Sequence, residues 1–399
     1  MTGSQRSTER LFTGYDGRLF LVLSTGWIAV AISRQLLPPL LPEIIDDLHI
    51  TPFLAGTVLT VLWAAYALNH YPGGRLADRL SRKTVLVGGL VGIVVGLLLM
   101  SISTTYAILV GAVAVFGTGG GLYSVSTRAK TADLFVEKRA QAFGIQMAFT
   151  RAGAAAAAGV AVAALAIGTW RSGFLPIALF AAIVAFLLHR WVREPYSVGR
   201  IELGMLETTR RVFGRRSIRS VLLAYILLIF TMQGVIGFLP TFLQVEKGFS
   251  PALASAGFAA VYVTGIIVGP IAGLIGDSYR KIPIAAGAVI VAAIGLSALI
   301  TVNSTVGITV SIVAFAIGLW SFPPVVQATL MDIFDEGSMA GDFGAAKTVW
   351  AILGSLGPSY VGYVAGMWSY TLAYIGMVGS LLACLCVLVW IWARGIAHS

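Results

Sequence analysis

Long runs of apolar residues alternate with short polar segments along the whole chain. Each run is apolar on all sides and has about the 20 residues that a helix needs to cross the bilayer hydrocarbon. A transmembrane β-barrel would instead show strands of about ten residues with strict alternation. The pattern therefore predicts an all-α membrane protein with twelve transmembrane helices. The predicted spans are 19–41, 53–73, 84–103, 106–127, 140–167, 172–192, 219–243, 252–275, 282–302, 306–330, 342–366 and 370–393.

Basic residues are concentrated in every second gap between the spans. The outward gaps hold only Arg171 and Lys247, and the other Lys and Arg outside the spans lie on the side of the N-terminus. Because basic residues are retained on the cytoplasmic side, both termini are predicted to be cytoplasmic. The predicted domains are an N-terminal six-helix bundle, 1–192, with a short cytoplasmic segment, 1–18; a basic cytoplasmic linker, 193–218; and a C-terminal six-helix bundle, 219–399.

The composition excludes several classes of protein. Hydrophobic residues make up 58% of the 399-residue chain and charged residues only 11%, whereas a soluble domain has about 25% charged residues. An ordinary soluble enzyme, a disordered chain and a secreted disulfide scaffold are thereby ruled out. The net charge of +10 follows the orientation pattern, so no nucleic-acid partner is expected. We expect a multi-pass protein of the plasma membrane, surrounded by lipid, with no cofactor.

The two halves of the chain repeat one another at an offset of about 199 residues. Four matched features occur in the same order. They are Gly74 and Asp78 with Gly273 and Asp277; Trp63 with Tyr262; Leu41-Pro42 with Leu239-Pro240; and Gly121–Ser124 with Gly318–Ser321. Because each unit has an even number of spans, the two units share one orientation. Parallel repeats of this kind place a substrate site near the middle of the membrane, between the repeats.

The loop between spans 2 and 3 carries the most specific motif. It reads Gly74-Arg75-Leu76-Ala77-Asp78-Arg79-Leu80-Ser81-Arg82-Lys83. This resembles the signature loop of the major facilitator superfamily, G-x-L-A-D-R-x-G-R-K, with Ser81 in place of the second glycine. The segment from Gly273 to Asp277, followed by Arg280-Lys281, resembles a degenerate second copy.

That resemblance implies a twelve-helix transporter that works by alternating access, with a gate that stabilises the outward-open state. The residues predicted to form the gate are Gly74, Asp78, Arg79, Arg82, Lys83 and Asp277. A basic loop that only fixes the topology would carry the same charges, and this alternative stays open.

Three cations lie inside predicted spans and more than one turn from their ends: Arg34, Arg151 and Lys347. No acid lies near the middle of a span, and Asp342 comes closest. A charge at the centre of a bilayer costs several kcal/mol, with estimates from about 2.5 to 17. Without a buried acid, the partner of such a cation is expected to be a ligand anion, chloride or water. Snorkelling to the membrane surface is the alternative, above all for Lys347.

The repeat and the family resemblance extend this candidate site. Arg34 corresponds to the polar Gln233 at the offset of 199 residues, and Arg151 lies close to the position equivalent to Lys347. The resemblance implies that spans 1, 4, 7 and 10 line a central cavity, which brings in one aromatic residue from each half; ordinary helix packing is the alternative for these two. The predicted substrate-binding residues are Arg34, Arg151, Lys347, Gln233, Tyr123 and Trp320. No metal site or catalytic residue is predicted.

Span 1 narrows the class of substrate. The stretch Ser33–Pro42 resembles the organic-anion branches of the superfamily, where an arginine in span 1 meets the substrate anion. Those branches often place an acid beside that arginine, but here Ser33 is the neighbour. Proton symport through a buried carboxylate is therefore not favoured. We expect a monomeric secondary transporter of a small, carboxylate-type organic anion, with exchange of anions preferred over symport.

Other functions remain alternatives at this point. A multidrug exporter of the superfamily would carry a Gly-Pro signature in span 5, whereas here Gly357-Pro358 falls in span 11. A sugar transporter is compatible with the polar and aromatic candidates of the cavity. A membrane enzyme is not expected, because the four histidines and the serines form no recognisable catalytic motif. A non-transporting membrane sensor is the alternative from another class.

Overall fold

The computed structural model describes residues 10–70, 72–73, 76, 80–197, 216–278, 280–334 and 339–394, and helices dominate these residues. In chain order, the helices are α1 (Gly14–Asp47), α2 (Pro52–Leu68), α3 (Arg82–Ser101), α4 (Tyr106–Leu134), α5 (Arg139–Ile167), α6 (Phe174–Trp191), α7 (Arg216–Val245), α8 (Pro251–Ser278), α9 (Lys281–Thr301), α10 (Thr305–Ile333), α11 in an inner segment (Met339–Gly354) and an outer segment (Gly357–Met367), and α12 (Tyr370–Ala393). Within the described residues, ten candidate spans are long and apolar enough to cross a membrane. Together with α2 and the two-segment α11, they confirm the predicted twelve-helix fold.

Local sequence explains where several helices begin and why α11 is broken. The hydroxyl of Thr105 caps α4 by accepting a hydrogen bond from the amide of Ile108, and Ser304 caps α10 in the same way. Such caps satisfy amides that lack a partner within the helix. The break in α11 precedes Pro358, which has no N–H to donate to a continuous helix.

The two halves repeat each other in their packing as well as in sequence. Helices α3 and α4 approach so closely that a Cβ on Gly96 would lie 2.6 Å from the Cβ of Phe116. Helices α9 and α10 repeat this contact, because a Cβ on Gly295 would lie 2.8 Å from the Cα of Phe315. At the inner ends of the same helix pairs, ion pairs join Arg82 to Asp133 at 3.2 Å and Lys281 to Asp332 at 2.5 Å.

The two halves meet through α1 and α7, α5 and α8, and α2 and α11. On the outer side, a Cβ on Gly56 of α2 would overlap the carbonyl of Pro358, and one on Gly362 would overlap that of Pro52. The hydroxyl of Thr60 donates to the carbonyl oxygen of Ser355 at 2.7 Å. We call these contacts the outer seal. Its residues are Pro52, Gly56 and Thr60 of the first half and Ser355, Pro358 and Gly362 of the second half.

The inner side is arranged differently. Among the described residues, the inner ends of α4 and α10 do not pack along each other. Arg128, in the inner half of α4, is exposed although it faces elements of both halves. The closed outer side and the open inner side make this an inward-facing conformation.

Two helices extend beyond their predicted ends by six residues or more. The predicted span 19–41 is part of a helix that continues to Asp47, so that Glu43 lies within α1. The predicted span 106–127 continues to Leu134, so that Arg128 lies within α4. Both extensions are polar at their ends, and hydropathy alone therefore misses them.

Part of the predicted linker and half of the predicted gate are outside this description. Of the linker, residues 198–215 lie outside the described residues. The same holds for the predicted gate residues Gly74, Asp78 and Arg79. Asp277 belongs to the last turn of α8.

Candidate functional site

A cavity of about 200 Å³ lies between the two halves, next to the outer seal. Helices α1, α2, α7, α8 and α10 supply its walls, so that neither half forms it alone. The residues that line it are Arg34, Gln35, Pro38, Trp63, Met232, Gln233, Ile236, Gly237, Tyr262 and Trp320. This volume lies below the range of about 300–1,000 Å³ that is typical of sites for drug-sized ligands, so the cavity suits a small solute.

Arg34 is the charged side chain that lines this cavity. Its guanidinium carbon lies 4.6 Å from the ring centre of Trp63 and 5.1 Å from that of Tyr66. Its Nε is buried without a hydrogen-bond partner among the described residues. Cation–π contacts engage the face of the guanidinium and contribute about 2 kcal/mol when desolvated, but they leave its buried Nε–H without an acceptor in the described part of the chain. The guanidinium therefore retains both charge and hydrogen-bonding capacity for an anion in the cavity.

The wall of the cavity follows the internal repeat. Trp63 and Tyr262, which correspond in the two halves, both line it, as do Arg34 and its counterpart Gln233. Trp320 completes the wall, held by a hydrogen bond from its indole Nε1 to the carbonyl oxygen of Val261 at 2.9 Å. The repeat thus provides an aromatic frame from both halves and a cation from only one.

Arg151 lies beside the cavity and connects the two halves. From α5 of the first half, its guanidinium donates a hydrogen bond to the carbonyl oxygen of Gly265 in α8 of the second half. It also lies 5.2 Å from the ring centre of Trp320, and a Cβ on Gly269 would overlap it. This small residue on α8 leaves the space that the arginine occupies. Arg151 thus makes a contact between the halves, in addition to any contact with a solute.

Three basic side chains lie on the inner side of the cavity: His70, Arg128 and Lys347. The charges of Lys347, Arg128 and Arg34 all act on His70, and those of Arg128 and Arg34 act on Lys347. His70 packs edge-on against Tyr66, with ring centres 4.9 Å apart. We call the group formed by Arg34, His70, Arg128 and Lys347 the basic vestibule. It draws on both halves, since Lys347 belongs to the inner segment of α11.

The sequence pattern did not single out Arg128, because the predicted span stops one residue before it. Arg128 lies in α4, and its charge acts on Lys347 of the other half. This proximity is visible only in three dimensions. The side chain also stacks over Trp27, with 5.8 Å between the guanidinium carbon and the ring centre. A polar residue at a predicted helix end is the signal that would have found it.

Tyr123 is placed differently from the other predicted binding residues. It is fully buried within the first half, where its hydroxyl donates to the carbonyl oxygen of Leu23 at 2.8 Å. The match of Tyr123 with Trp320 used an offset two residues short of 199. The structure pairs Gly119 with Gly318, since both pack closely against the preceding helix. Two residues correspond to about 200° around a helix, so Tyr123 points away from the cavity.

Two acidic residues, Glu43 and Asp342, lie on helices that also carry residues of the basic vestibule. Glu43 lies in the outer part of α1, and its Oε2 is buried without a hydrogen-bond partner among the described residues. It is more than two turns beyond Arg34 on the same helix. Asp342 is buried near the inner start of α11. Within the described residues, no ion pair joins a carboxylate to Arg34 or Lys347.

Contacts are described for the side chains of two predicted gate residues, one within the first half and one with the start of the linker. Arg82 pairs with Asp133 of α4, as described above. Lys83 lies over Tyr196, with 4.9 Å between its Nζ and the ring centre. Next to Tyr196, Ser197 accepts a hydrogen bond from the amide of Ser81 at 2.6 Å. The start of the linker is therefore attached to the N-terminus of α3.

Twelve helices in two parallel six-helix units, with a cavity between the units, define a membrane transporter. The sequence model of the Major Facilitator Superfamily matches residues 23–358, and the chain belongs to this family. It is a multi-pass protein of the plasma membrane. The family that the loop motif suggested is thereby confirmed.

Curated relatives match only part of this chain. It is 34% identical over 90 residues to the uncharacterized MFS-type transporter YceJ of Bacillus subtilis, a match that covers 23% of each chain. It is 31% identical over 124 residues to the uncharacterized MFS-type transporter Rv1877 of Mycobacterium tuberculosis, covering 29% of this chain and 17% of the relative. The matches thus span less than a quarter of these relatives.

Solved structures match over nearly the whole chain. A bacterial homolog of the human lysosomal transporter Spinster, in an inward-facing and occupied conformation, gives a TM-score of 0.78 at 16% identity and covers 97% of both chains. The nucleoside transporter NupG gives 0.77 at 14% identity, covering 94% of this chain and 99% of NupG. A D-xylose–proton symporter gives 0.76 at 16% identity, covering 94% and 97%. At these identities the likeness concerns the fold.

Proposed function

We propose that this transporter carries a small organic anion, of the carboxylate type, across the membrane by alternating access. The observation that supports this most is the position of Arg34. It lines the cavity between the halves on an aromatic support, with no ion pair to a described carboxylate. A carboxylate bound there would accept a forked pair of hydrogen bonds from the guanidinium, the geometry that arginine provides better than lysine.

The rest of the basic vestibule supports the same class of substrate. Arg128 places further positive charge between the cavity and the cytoplasm, and Lys347 adds to it in its protonated form. Low-dielectric walls focus such a field and raise the local concentration of anions. A lipophilic cation would meet repulsion along the same route. We therefore favour an anion over the cationic drugs that multidrug exporters carry.

Coupling by exchange follows from the same charges. A guanidinium is a permanent cation in proteins, and an empty cavity lined by Arg34 is therefore positive. The conformational change that moves the empty, positively charged cavity past the membrane centre costs more free energy than the same change with an anion bound. Exchange of one anion for another is thus preferred over net transport. Among the residues of the vestibule, Lys347 and His70 are the ones that could instead exchange protons.

Arg151 and Trp320 are proposed to couple the site to the movement of the halves. The guanidinium bond to Gly265 crosses between the halves, while Trp320 belongs both to this contact and to the cavity wall. We also propose that the loop containing Gly74, Asp78, Arg79, Arg82 and Lys83, together with Asp277, gates the outward-open state.

The test is a flux assay with purified protein in proteoliposomes. The panel contains labelled mono- and dicarboxylates, a sugar, a nucleoside and a lipophilic cation. Arg34→Gln removes the charge, and Arg34→Lys keeps the charge but removes the fork. Arg394→Gln is a matched control, because Arg394 also lies near a tryptophan, with 5.0 Å to the ring centre of Trp390, but at the end of α12.

We expect saturable uptake of a carboxylate that Arg34→Gln weakens by about 30-fold or more and that the control leaves unchanged. This factor corresponds to about 2 kcal/mol, the lower range for truncating one partner of a buried charge pair. Arg34→Lys should recover only part of the loss. Uptake of a sugar or nucleoside alone, unaffected by Arg34→Gln, would favour the hydroxyl-binding alternative that Gln233 and the tryptophans allow. No flux of any probe from well-folded protein would favour a sensor.

A further inference from the structure

A second pocket lies far from the central cavity, at the inner end of the first half. It has a volume of about 450 Å³ and lies between the start of α1 and the end of α6. The side chains that define it are Tyr15, Arg18, Leu19, Arg190, Trp191 and Arg193. Three of these are arginines, and none of the functions discussed so far uses them.

The walls of this pocket are held by specific contacts. The hydroxyl of Tyr15 donates to the carbonyl oxygen of Trp191 at 2.8 Å, which joins α1 to α6. The guanidinium carbon of Arg193 lies 4.4 Å from the ring centre of Tyr15. The pocket is therefore a defined site between two helices, and its shape does not depend on an occupant.

The arginines of the pocket form no ion pair within the described part of the chain. No ion pair joins Arg18, Arg190 or Arg193 to a described carboxylate. The nearby Glu194 is engaged by Lys130 at 2.6 Å. Three guanidinium groups around one pocket repel each other, and an anion between them relieves that repulsion while accepting charge-assisted hydrogen bonds.

The surroundings indicate a lipid as the source of that anion. On α6, the exposed apolar residues Leu175, Leu179, Ile183 and Phe186 follow helical spacing and form one face of the helix. Arg190 continues this face one turn further towards the cytoplasm. On α1, the exposed Leu21 lies one turn from Arg18 on the outward side. An apolar helix face that leads into a basic pocket at the membrane boundary matches an acyl chain that leads into a phosphate headgroup.

We propose that this pocket binds the phosphate headgroup of an anionic phospholipid from the cytoplasmic leaflet. Basic pockets between helices on the cytoplasmic side are suited to such headgroups. The exposed apolar face of α6, with Leu21 of α1, distinguishes this source from a free phosphate ester, which would need the arginines alone. The bound lipid would attach α1, which also carries Arg34, to α6 at their inner ends.

The proposal is tested by lipid binding to the purified transporter in detergent, measured by native mass spectrometry. The probes are phosphatidylglycerol, phosphatidylcholine and glycerol phosphate. The test variant combines Arg18→Gln, Arg190→Gln and Arg193→Gln. The control variant removes the same charge from exposed arginines elsewhere on the inner side, Arg139→Gln, Arg219→Gln and Arg394→Gln. Circular dichroism and gel filtration verify that both variants are folded.

We expect phosphatidylglycerol to bind in preference to phosphatidylcholine. The affinity of the test variant for phosphatidylglycerol should be about 100-fold lower than that of the wild type. Each arginine near an anionic headgroup contributes roughly a factor of five. The control should bind as the wild type does. Phe186→Gln should weaken the binding of phosphatidylglycerol but leave the binding of glycerol phosphate unaffected. Equal losses in both triple variants, no preference over phosphatidylcholine, or full competition by glycerol phosphate would each overturn the proposal.

Discussion

The outer seal makes a prediction about the balance between the two conformations of the transporter. Replacement of Gly56 by alanine adds a single methyl group where α2 meets the outer segment of α11. That methyl would lie 2.9 Å from the carbonyl carbon of Pro358 and closer still to its oxygen. Both are backbone atoms and cannot rotate away. We expect Gly56→Ala to favour the outward-open conformation, in which this contact is absent.

The size of the effect follows from the overlap. An ordinary contact of a methyl group starts near 3.4 Å, so the carbonyl oxygen requires the helices to separate by about one ångström. Overpacking of this kind costs about 1–3 kcal/mol. Because the cost falls only on the sealed conformation, the ratio of sealed to open protein should fall by about 5- to 150-fold. Alanine also improves the helix propensity at this position, so loss of folding is not expected.

The assay is a distance measurement between spin labels on the outer side of the two halves. Ile102→Cys and Val306→Cys provide exposed positions in the first and second half, after replacement of the native Cys384 and Cys386. The distance distribution should shift to longer values in Gly56→Ala. Gly88→Ala is the matched control, since no atom lies within 4 Å of its new methyl group. Superimposable distributions for Gly56→Ala and Gly88→Ala would refute the reasoning.

Four further predictions concern other residues. Arg151→Gln should slow transport more than it weakens binding, because it loses the contact between the halves; a purely substrate-binding role would show instead as a change in affinity alone. Tyr123→Phe should lower the stability by about 1 kcal/mol, the usual contribution of one hydrogen bond, and leave substrate affinity intact, as thermal unfolding and uptake would reveal. Counterflow should exceed net uptake, with little acceleration by a proton gradient; proton-driven accumulation abolished by Lys347→Gln would contradict exchange. Asp78→Asn should reduce the transport rate and increase cysteine accessibility on the cytoplasmic side, and an unchanged rate and accessibility would reduce the loop to a topology signal.

The fold was predictable from sequence because the bilayer imposes one simple requirement. Every span must be apolar over a fixed length, and α12 runs over 370–393, as predicted. Helix ends were less predictable, since polar residues continue a helix once it leaves the hydrocarbon. Glu43 and Arg128 both fall on such extensions. Their positions depend on neighbouring helices, about which hydropathy carries no information.

The candidate site was partly predictable for a different reason. The cost of a cation in a membrane pointed to Arg34, and the repeat pointed from it to Gln233; both line the cavity. Trp63 and Tyr262 were noticed only as markers of the repeat, because nothing in one sequence distinguishes a packing aromatic from one facing a cavity. A two-residue error in the alignment of the repeats was enough to turn Tyr123 towards the cavity in the prediction.

The duplicated contacts of α3 with α4 and of α9 with α10 bear on how the chain assembles. Gly96 and Phe116 are separated by only a short loop, as are Gly295 and Phe315. Contacts this local form early, since little chain entropy is lost in closing them. The first helix pair can therefore dock while the second half is still being synthesised. The long-range joins at Gly56 and Arg151 must wait for α8 and α11, so that the surface on which transport depends is the last part of the molecule to form.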